Sequence, residues 1–316
     1  MHNRITDLLG IKYPIVQGGM LWLADASLAA AVSNAGALGT ISPYAAMVQD
    51  GDPLENLRYQ IRQTRQRTRN PFAVNIPLDL PASGLLVNLL IEENAEIAVT
   101  AAGSPDVFTK LLHSVGMIVL HVIGSVSQAR FSQSCGVDAL IAEGVEAGGR
   151  LGRDEIPLIS LIPQLADAVS IPVIAAGGIV DGRGMAAALA LGADGVQLGT
   201  RFIAAQECIA HPNYKKAILD AGDADTVVAG RTIIPTRSLK SKFPLELAAM
   251  EKSGITGESL QKFAGRGRAR KAQLEGDLEI GDPYAGSSAG LIRDIMTAAE
   301  VVENLMKGCN EVLHGK

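Results

Sequence analysis

The sequence predicts an α/β fold, a (β/α)8 TIM barrel with a mainly helical C-terminal cap inserted after strand eight. Three features predict it. Eight short, near-continuous apolar runs have the character of parallel strands buried on both faces. Helix-forming segments separate them, and the run-to-run spacing of ~20–35 residues is the size of a βα unit. Eight such units favour a closed barrel over the alternative of a doubly wound open sheet.

The runs are, in order, 14–17 (PIVQ), 37–41 (ALGTI), 72–76 (FAVNI), 97–100 (IAVT), 117–120 (MIVL), 139–142 (ALIA), 172–176 (PVIAA) and 195–198 (GVQL). The Ala-rich stretch 24–34 reads as a helix ending before Gly36, and 185–191 as another ending at Gly192. The chain has 316 residues and is 47% hydrophobic, enough to bury a large core without staples. With 4% aromatic residues, that core is expected to be mostly Ala, Val, Ile and Leu.

Beyond the eighth run the pattern changes. Residues 205–285 are richer in charge and carry Gly-rich joints such as Gly265-Arg266-Gly267-Arg268, which suggests a helical cap over the barrel mouth. From Ser288 to Leu313 apolar residues return at helical spacing, as expected for a closing helix. The expected division is therefore a barrel at 1–204, a substrate cap at 205–285 and a returning segment at 286–316.

The net charge of −5 gives no reason to expect nucleic acid or an anionic membrane as partner. Cys135, Cys208 and Cys309 are far apart and form no CxxC, so neither a disulfide framework nor a metal site is expected. The N-terminal MHNRITDLLG lacks an apolar signal core, and no apolar run approaches the ~18 residues of a membrane span. A cytoplasmic protein is expected.

Barrels of this kind place their chemistry at the C-terminal strand ends, with phosphate often held after strands seven and eight. The seventh run ends in Ala176-Gly177-Gly178, where backbone N–H groups can approach an anion with no Cβ in the way. The eighth ends in Gln197-Leu198-Gly199-Thr200, which offers further N–H groups and a hydroxyl. Other strand ends carry Gly19 and Met20, Asn75, Ser125, and the loop from Glu143 through Gly148 and Gly149 to Arg150. Polar groups gathered this way are what a cofactor ring needs for orientation.

The segments PIVQGGM, NAGALGTIS, FAVNIPL, AEGVEAGG, IPVIAAGGIVDGRG and LGADGVQLGTRF together resemble the FMN-dependent barrels that include nitronate monooxygenases (2-nitropropane dioxygenases) and type II enoyl-acyl-carrier-protein reductases. The resemblance runs from Pro14 to about Pro212, with an echo in AGSSAGLI at 285–292. It implies FMN, with its phosphate at Gly178 and at Gln197 to Thr200. It also implies ring contacts from Gly19, Met20 and Asn75, with Glu143 at a flavin-contact position that is often Gln and Gly148 in the adjoining loop. One position departs from the pattern. Where the family usually has His after the AGG, this chain has Arg150.

A guanidinium stays protonated near neutral pH, so an arginine there can bind an anion or stabilise developing negative charge but cannot serve as an ordinary base. His121, ending strand five, is the candidate for the missing acid or base, or else a packed, hydrogen-bonded histidine. The basic run Arg266, Arg268, Arg270 and Lys271, preceded by Arg237, Lys240 and Lys242, reads as a solvated face or as a docking site for phosphate of a nicotinamide cofactor, coenzyme A or an acyl carrier protein.

The leading expectation is an FMN-dependent oxidoreductase of nitronate monooxygenase character, oxidising small alkyl nitronates with oxygen. The alternatives are NADH- or NADPH-dependent reduction of enoyl thioesters or quinones, and an FMN-binding protein without turnover. A small-molecule substrate is expected in the first two. An acyl carrier protein or CoA thioester, and a homodimer partner, are further candidates.

Overall fold

The computed structural model describes residues 2–47 and 51–315. In chain order its strands are β1 (Ile15–Gln17), β2 (Gly39–Ile41), β3 (Phe72–Pro77), β4 (Ile97–Ala101), β5 (Ile118–Ile123) and β6 (Ala139–Glu143). They continue as β7 (Gly149–Arg150), β8 (Val173–Ala176), β9 (Gly195–Leu198), β10 (Thr226–Ala229) and β11 (Thr236–Leu239). Eight of them form one parallel sheet in the order β1-β9-β8-β6-β5-β4-β3-β2. A parallel bridge between Val16 and Leu38 joins β1 to β2 and brings the ends together. The fold is the expected (β/α)8 TIM barrel, and each apolar run coincides with a barrel strand to within three residues at either end.

Successive side chains of a strand point to opposite faces, and this sorts the core into two layers. Val16, Leu38, Ala73, Val99, Leu120, Ile141 and Ile174 fill the barrel interior. Helix Arg4–Leu9 sends Ile5 and Leu9 into that cluster and closes the end away from the site. Their neighbours in sequence, including Ile15, Val74, Ala98, Val119, Leu140, Val173 and Val196, pack outward against the helices. Cutting one of the larger of these residues back to alanine costs about 2–5 kcal/mol.

The segment after β9 is mainly helical, with helices Pro212–Asp220, Lys242–Lys252 and Gly257–Ala264. It also holds a sheet that the sequence pattern did not announce. β10 and β11 form an antiparallel hairpin, and β11 pairs with β7 from the loop after β6. Both hairpin strands are only four residues long, and Gly230 and Pro235 lie between them, so neither presents a run that stands out. The last helix is Ala298–His314, not the whole of Ser288–Leu313. Thr297 and Glu300 form a capping box that sets its start, while Ser287–Leu291 makes a 3-10 turn beside the barrel mouth. Among the described residues, no helix is long and apolar enough to cross a membrane.

Candidate active site

A cavity of about 1330 Å³ opens at the C-terminal ends of the barrel strands, beneath the segment that follows β9. Gly19, Met20, Asn75, Glu143, Gly148, Arg150, Gly177, Gly178, Gln197, Gly199 and Thr200 all line it, and His121 borders it.

The phosphate end comes from β8 and β9. Gly177 and Gly178 both adopt left-handed backbone, with φ of 115° and 68°. That turn exposes the N–H groups of Gly178 and Ile179, which donate to no protein acceptor among the described residues, as does that of Gly199. The N–H of Thr200 lies in the first turn of its helix, without an intrahelical acceptor. A Cβ on Gly178 would stand 2.9 Å from Cβ of Glu146 and 3.4 Å from the Ser288 hydroxyl. That hydroxyl has no hydrogen-bond partner among the described residues, and Ser288 also lines the cavity. The Thr200 hydroxyl accepts from the N–H of Gly286 and ties the 3-10 turn to this end. Unpaired N–H groups around a glycine turn, with a free hydroxyl beside them, fit an ester phosphate.

Along the barrel axis the alternation points Asn75, Glu143 and Gln197 inward. Asn75 Nδ2 donates to the Val99 carbonyl at 3.1 Å, leaving the other end of its amide free. A Cβ on Gly19 would fall 2.6 Å from Asn75 Cγ, so the strand end must be glycine for that amide to sit there. Gln197 makes no side-chain hydrogen bond among the described residues and packs beside Gly18. Burial pushes the Glu143 carboxyl up to about 8, which keeps it protonated and able to donate at neutral pH.

Two expected cofactor contacts lie elsewhere. Leu198 follows Gln197 in β9, so it faces the helices and joins the outer core. Its carbonyl is occupied by the N–H of Gly18. Ser125 caps helix Val126–Ser134 by accepting from the Gln128 N–H, and it does not line the cavity.

His121 takes the second of its two expected forms, a packed, hydrogen-bonded histidine. Leu120 and Val122 point into the barrel, so the ring between them turns toward the helix layer. Its Nδ1 meets Thr100 Oγ1 at 2.8 Å, and that hydroxyl donates to the Leu120 carbonyl. Nδ1 is therefore the donor. Burial pulls the imidazole down to about 4, too low for a base poised near neutral pH. Its neutral state costs stability as pH falls from 6.5 toward 4. His121→Asn is expected to leave the shape of the pH–rate profile unchanged. A lost pH limb in steady-state assays would return the ring to the chemistry.

Arg150 lies on β7, held beside β11 by the pairing of Thr236 with Arg150. Its Nη1 donates to Asp79 Oδ2 at 2.8 Å, which links the loop after β6 to the loop after β3 across the cavity. The basic run proves mixed. Arg268 stacks 4.3 Å from the Phe243 ring and donates to three backbone carbonyls. Arg270 pairs with Glu275, and Arg237 donates to the Val145 carbonyl. Arg266 has no partner among the described residues and lines the cavity.

Several lining residues were not legible in the sequence. Trp22 and Tyr44, 5.5 Å apart, form an aromatic wall. Gln273 and Asp282 come from the segment after β9, and burial raises Asp282 to about 6. The positive φ of Leu21 at the same wall is visible only in three dimensions. Among the described residues no group of His, Cys, Asp and Glu could hold a metal.

Such a barrel, with a phosphate-ready end and a polar floor beneath the segment after β9, defines a phospho-ligand-binding (β/α)8 barrel. The nitronate monooxygenase family model matches residues 2–85 and 84–308, and the chain belongs to that family. A probable nitronate monooxygenase of Staphylococcus aureus is 30% identical, covering 99% of both chains. A Mycobacterium tuberculosis protein, (3aS,4S,5R,7aS)-5-hydroxy-7a-methyl-1-oxo-octahydro-1H-indene-4-carboxyl-CoA dehydrogenase, is 33% identical over 97% of this chain and 95% of its own. Among solved structures, FabK from Thermotoga maritima superposes with a TM-score of 0.92 at 42% identity, covering 99% of this chain and 97% of that one. A nitroalkane oxidase from Streptomyces ansochromogenes gives 0.84 at 29%, covering 98% of each. The chain is an oxidoreductase of a flavin-dependent family.

Proposed function

We propose that this chain uses FMN to pass electrons from NADH or NADPH to the double bond of an enoyl thioester. The size of the cavity carries the reading. About 1330 Å³ exceeds the roughly 300–1000 Å³ of an ordinary small-ligand pocket and leaves room for a long acceptor beside a flavin. The wall formed by Ile233, Ile234, Phe243 and Leu247 is apolar, as an acyl chain requires. The 42% identity to FabK supports the same reading.

In this reading the N–H groups of Gly178, Ile179, Gly199 and Thr200 and the Ser288 hydroxyl hold the FMN phosphate. Gly19, Met20, Asn75, Glu143, Gly148 and Gln197 orient the ring. FMN, when bound, supplies hydride transfer. The chain's own part is to fix the ring's polar edge, to exclude water with the segment after β9, and to offer Arg150 to the negative charge that builds on a thioester oxygen.

Nitronate oxidation with oxygen is the second reading, favoured by the family model and by the Staphylococcus relative. Arg150 would then hold an already ionised nitronate, because neither it nor His121 is suited to take a proton from a neutral nitroalkane. Purified FMN-loaded protein is expected to reduce trans-2-enoyl thioesters with a nicotinamide. Arg150→Ala is expected to lower kcat for the thioester roughly tenfold or more at unchanged flavin content, since it removes a charge-assisted contact to charge that builds in the transition state. Unchanged kinetics would take Arg150 out of the site. Oxygen uptake with nitronates and no thioester turnover would move the assignment to the second reading. A bound flavin that neither substrate class reacts with would leave FMN binding without turnover.

A further inference from the structure

The lining of the cavity includes two arginines that the proposed reduction does not use. Arg266 stands between Gly265 and Gly267, both in left-handed backbone with φ of 64° and 77°. The N–H groups of Arg266 and Gly267 donate to no acceptor among the described residues, and a Cβ on Gly267 would meet nothing within 4 Å. Successive free N–H groups in such a turn form a concavity for an anion, and here the loop also carries a free guanidinium. Arg153 faces the same cavity from the loop after β6. Its Nη2 donates to the Ile233 carbonyl at 2.9 Å, and it has no carboxylate partner among the described residues.

Exposed apolar side chains share the cavity with these charges. Phe131 and Ile234 line the same cavity and are 48% and 38% exposed. The backbone of Gly152 packs on Gly124, which brings the Arg153 loop to the start of the helix that carries Phe131. Phosphate-binding groups beside an exposed aromatic and an aliphatic face suit a nucleotide better than a bare anion.

We propose that Arg153, Arg266 and the Gly265–Gly267 turn bind the ribose phosphate of an adenosine nucleotide. It is either the 3′-phosphate of a CoA thioester or the 2′-phosphate of NADPH. The inference rests on the thioester and nicotinamide reading, and it adds a specificity site to the cavity. Arg268, Arg270 and Arg237 take no part, because each is committed to internal partners.

Titration calorimetry on the FMN-loaded protein tests the site without turnover, with adenosine 3′,5′-bisphosphate and adenosine 2′,5′-bisphosphate as probes. At least one is expected to bind. Arg153→Ala and Arg266→Ala should each weaken it roughly tenfold, the loss of one charge-assisted hydrogen bond to phosphate. Arg266→Lys should recover part of the affinity, and the flavin absorbance of every variant reports that the barrel is intact. Preference for the 3′,5′ compound assigns the site to a CoA thioester, and preference for the 2′,5′ compound assigns it to NADPH. Binding of neither compound, or undiminished binding in the double alanine variant, overturns the proposal. So does a dependence on both arginines seen only with an acyl carrier protein. Arginine-dependent binding by a protein that no nicotinamide reduces and that turns over no thioester would sustain the site and remove the reductase reading instead.

Discussion

Gly178→Ala is expected to give a protein that purifies colourless and binds FMN roughly a hundredfold more weakly than the unaltered chain. The wild-type residue holds φ at 68°, where a side chain is strained, at a cost of order 1–3 kcal/mol. A Cβ there also stands 2.9 Å from Glu146, whose carboxylate accepts from the N–H of Leu158 and so cannot easily give way. Relief requires rotation of the Gly178–Ile179 peptide, and that rotation takes away the N–H groups expected to face phosphate. A loss of about 2.7 kcal/mol corresponds to a hundredfold in affinity. Fluorescence titration of deflavinated protein reads it, with circular dichroism to show that the barrel persists. Unchanged affinity would move the phosphate to another part of the cavity.

Glu143→Gln is expected to stabilise the flavin-free protein strongly at alkaline pH. The carboxyl titrates near 4.5 when exposed and near 8 in the fold. A raised carboxyl means that the folded state holds its proton more tightly than the unfolded chain. Stability contributed by that proton is therefore full below about 4.5 and declines as pH rises toward 8. Above that the loss is complete, on the order of 4 kcal/mol. Glutamine has the same shape and no charge to desolvate, so the variant should melt well above the wild type at pH 8. The gap should close toward pH 5. Parallel melting curves across that range would show that Glu143 is not held neutral. The amide also keeps a donor toward the cavity, so FMN affinity should survive the change.

The barrel was legible because its strands are buried on both faces, which leaves runs such as Met117-Ile118-Val119-Leu120 and Pro172-Val173-Ile174-Ala175-Ala176 without polar interruption. The glycine turns at Gly177 and Gly199 were legible for a related reason, since they end such runs. Strand alternation was the main source of error. Leu198 was grouped with Gln197 because they are adjacent, yet one residue along a strand reverses the face. His121 illustrates the same point, as its position at a strand end says nothing of which side the ring takes. Ser125 looked like a free hydroxyl and is a helix cap. Residues 226–239 escaped because each hairpin strand is only four residues long, and the third strand that β11 pairs with, Gly149–Arg150, is distant in sequence and only two residues long. Trp22, Gln273 and Asp282 carry no local signature at all, because only the fold brings them to one cavity.

The central claim is that a nicotinamide reduces the bound flavin. Its most direct test is the visible spectrum of the FMN-loaded protein mixed anaerobically with NADH and, separately, with NADPH. At least one is expected to bleach the flavin absorbance, and an enoyl thioester, added next without oxygen, is expected to restore it. Flavin that stays oxidised with both nicotinamides and bleaches only with an alkyl nitronate would contradict the claim.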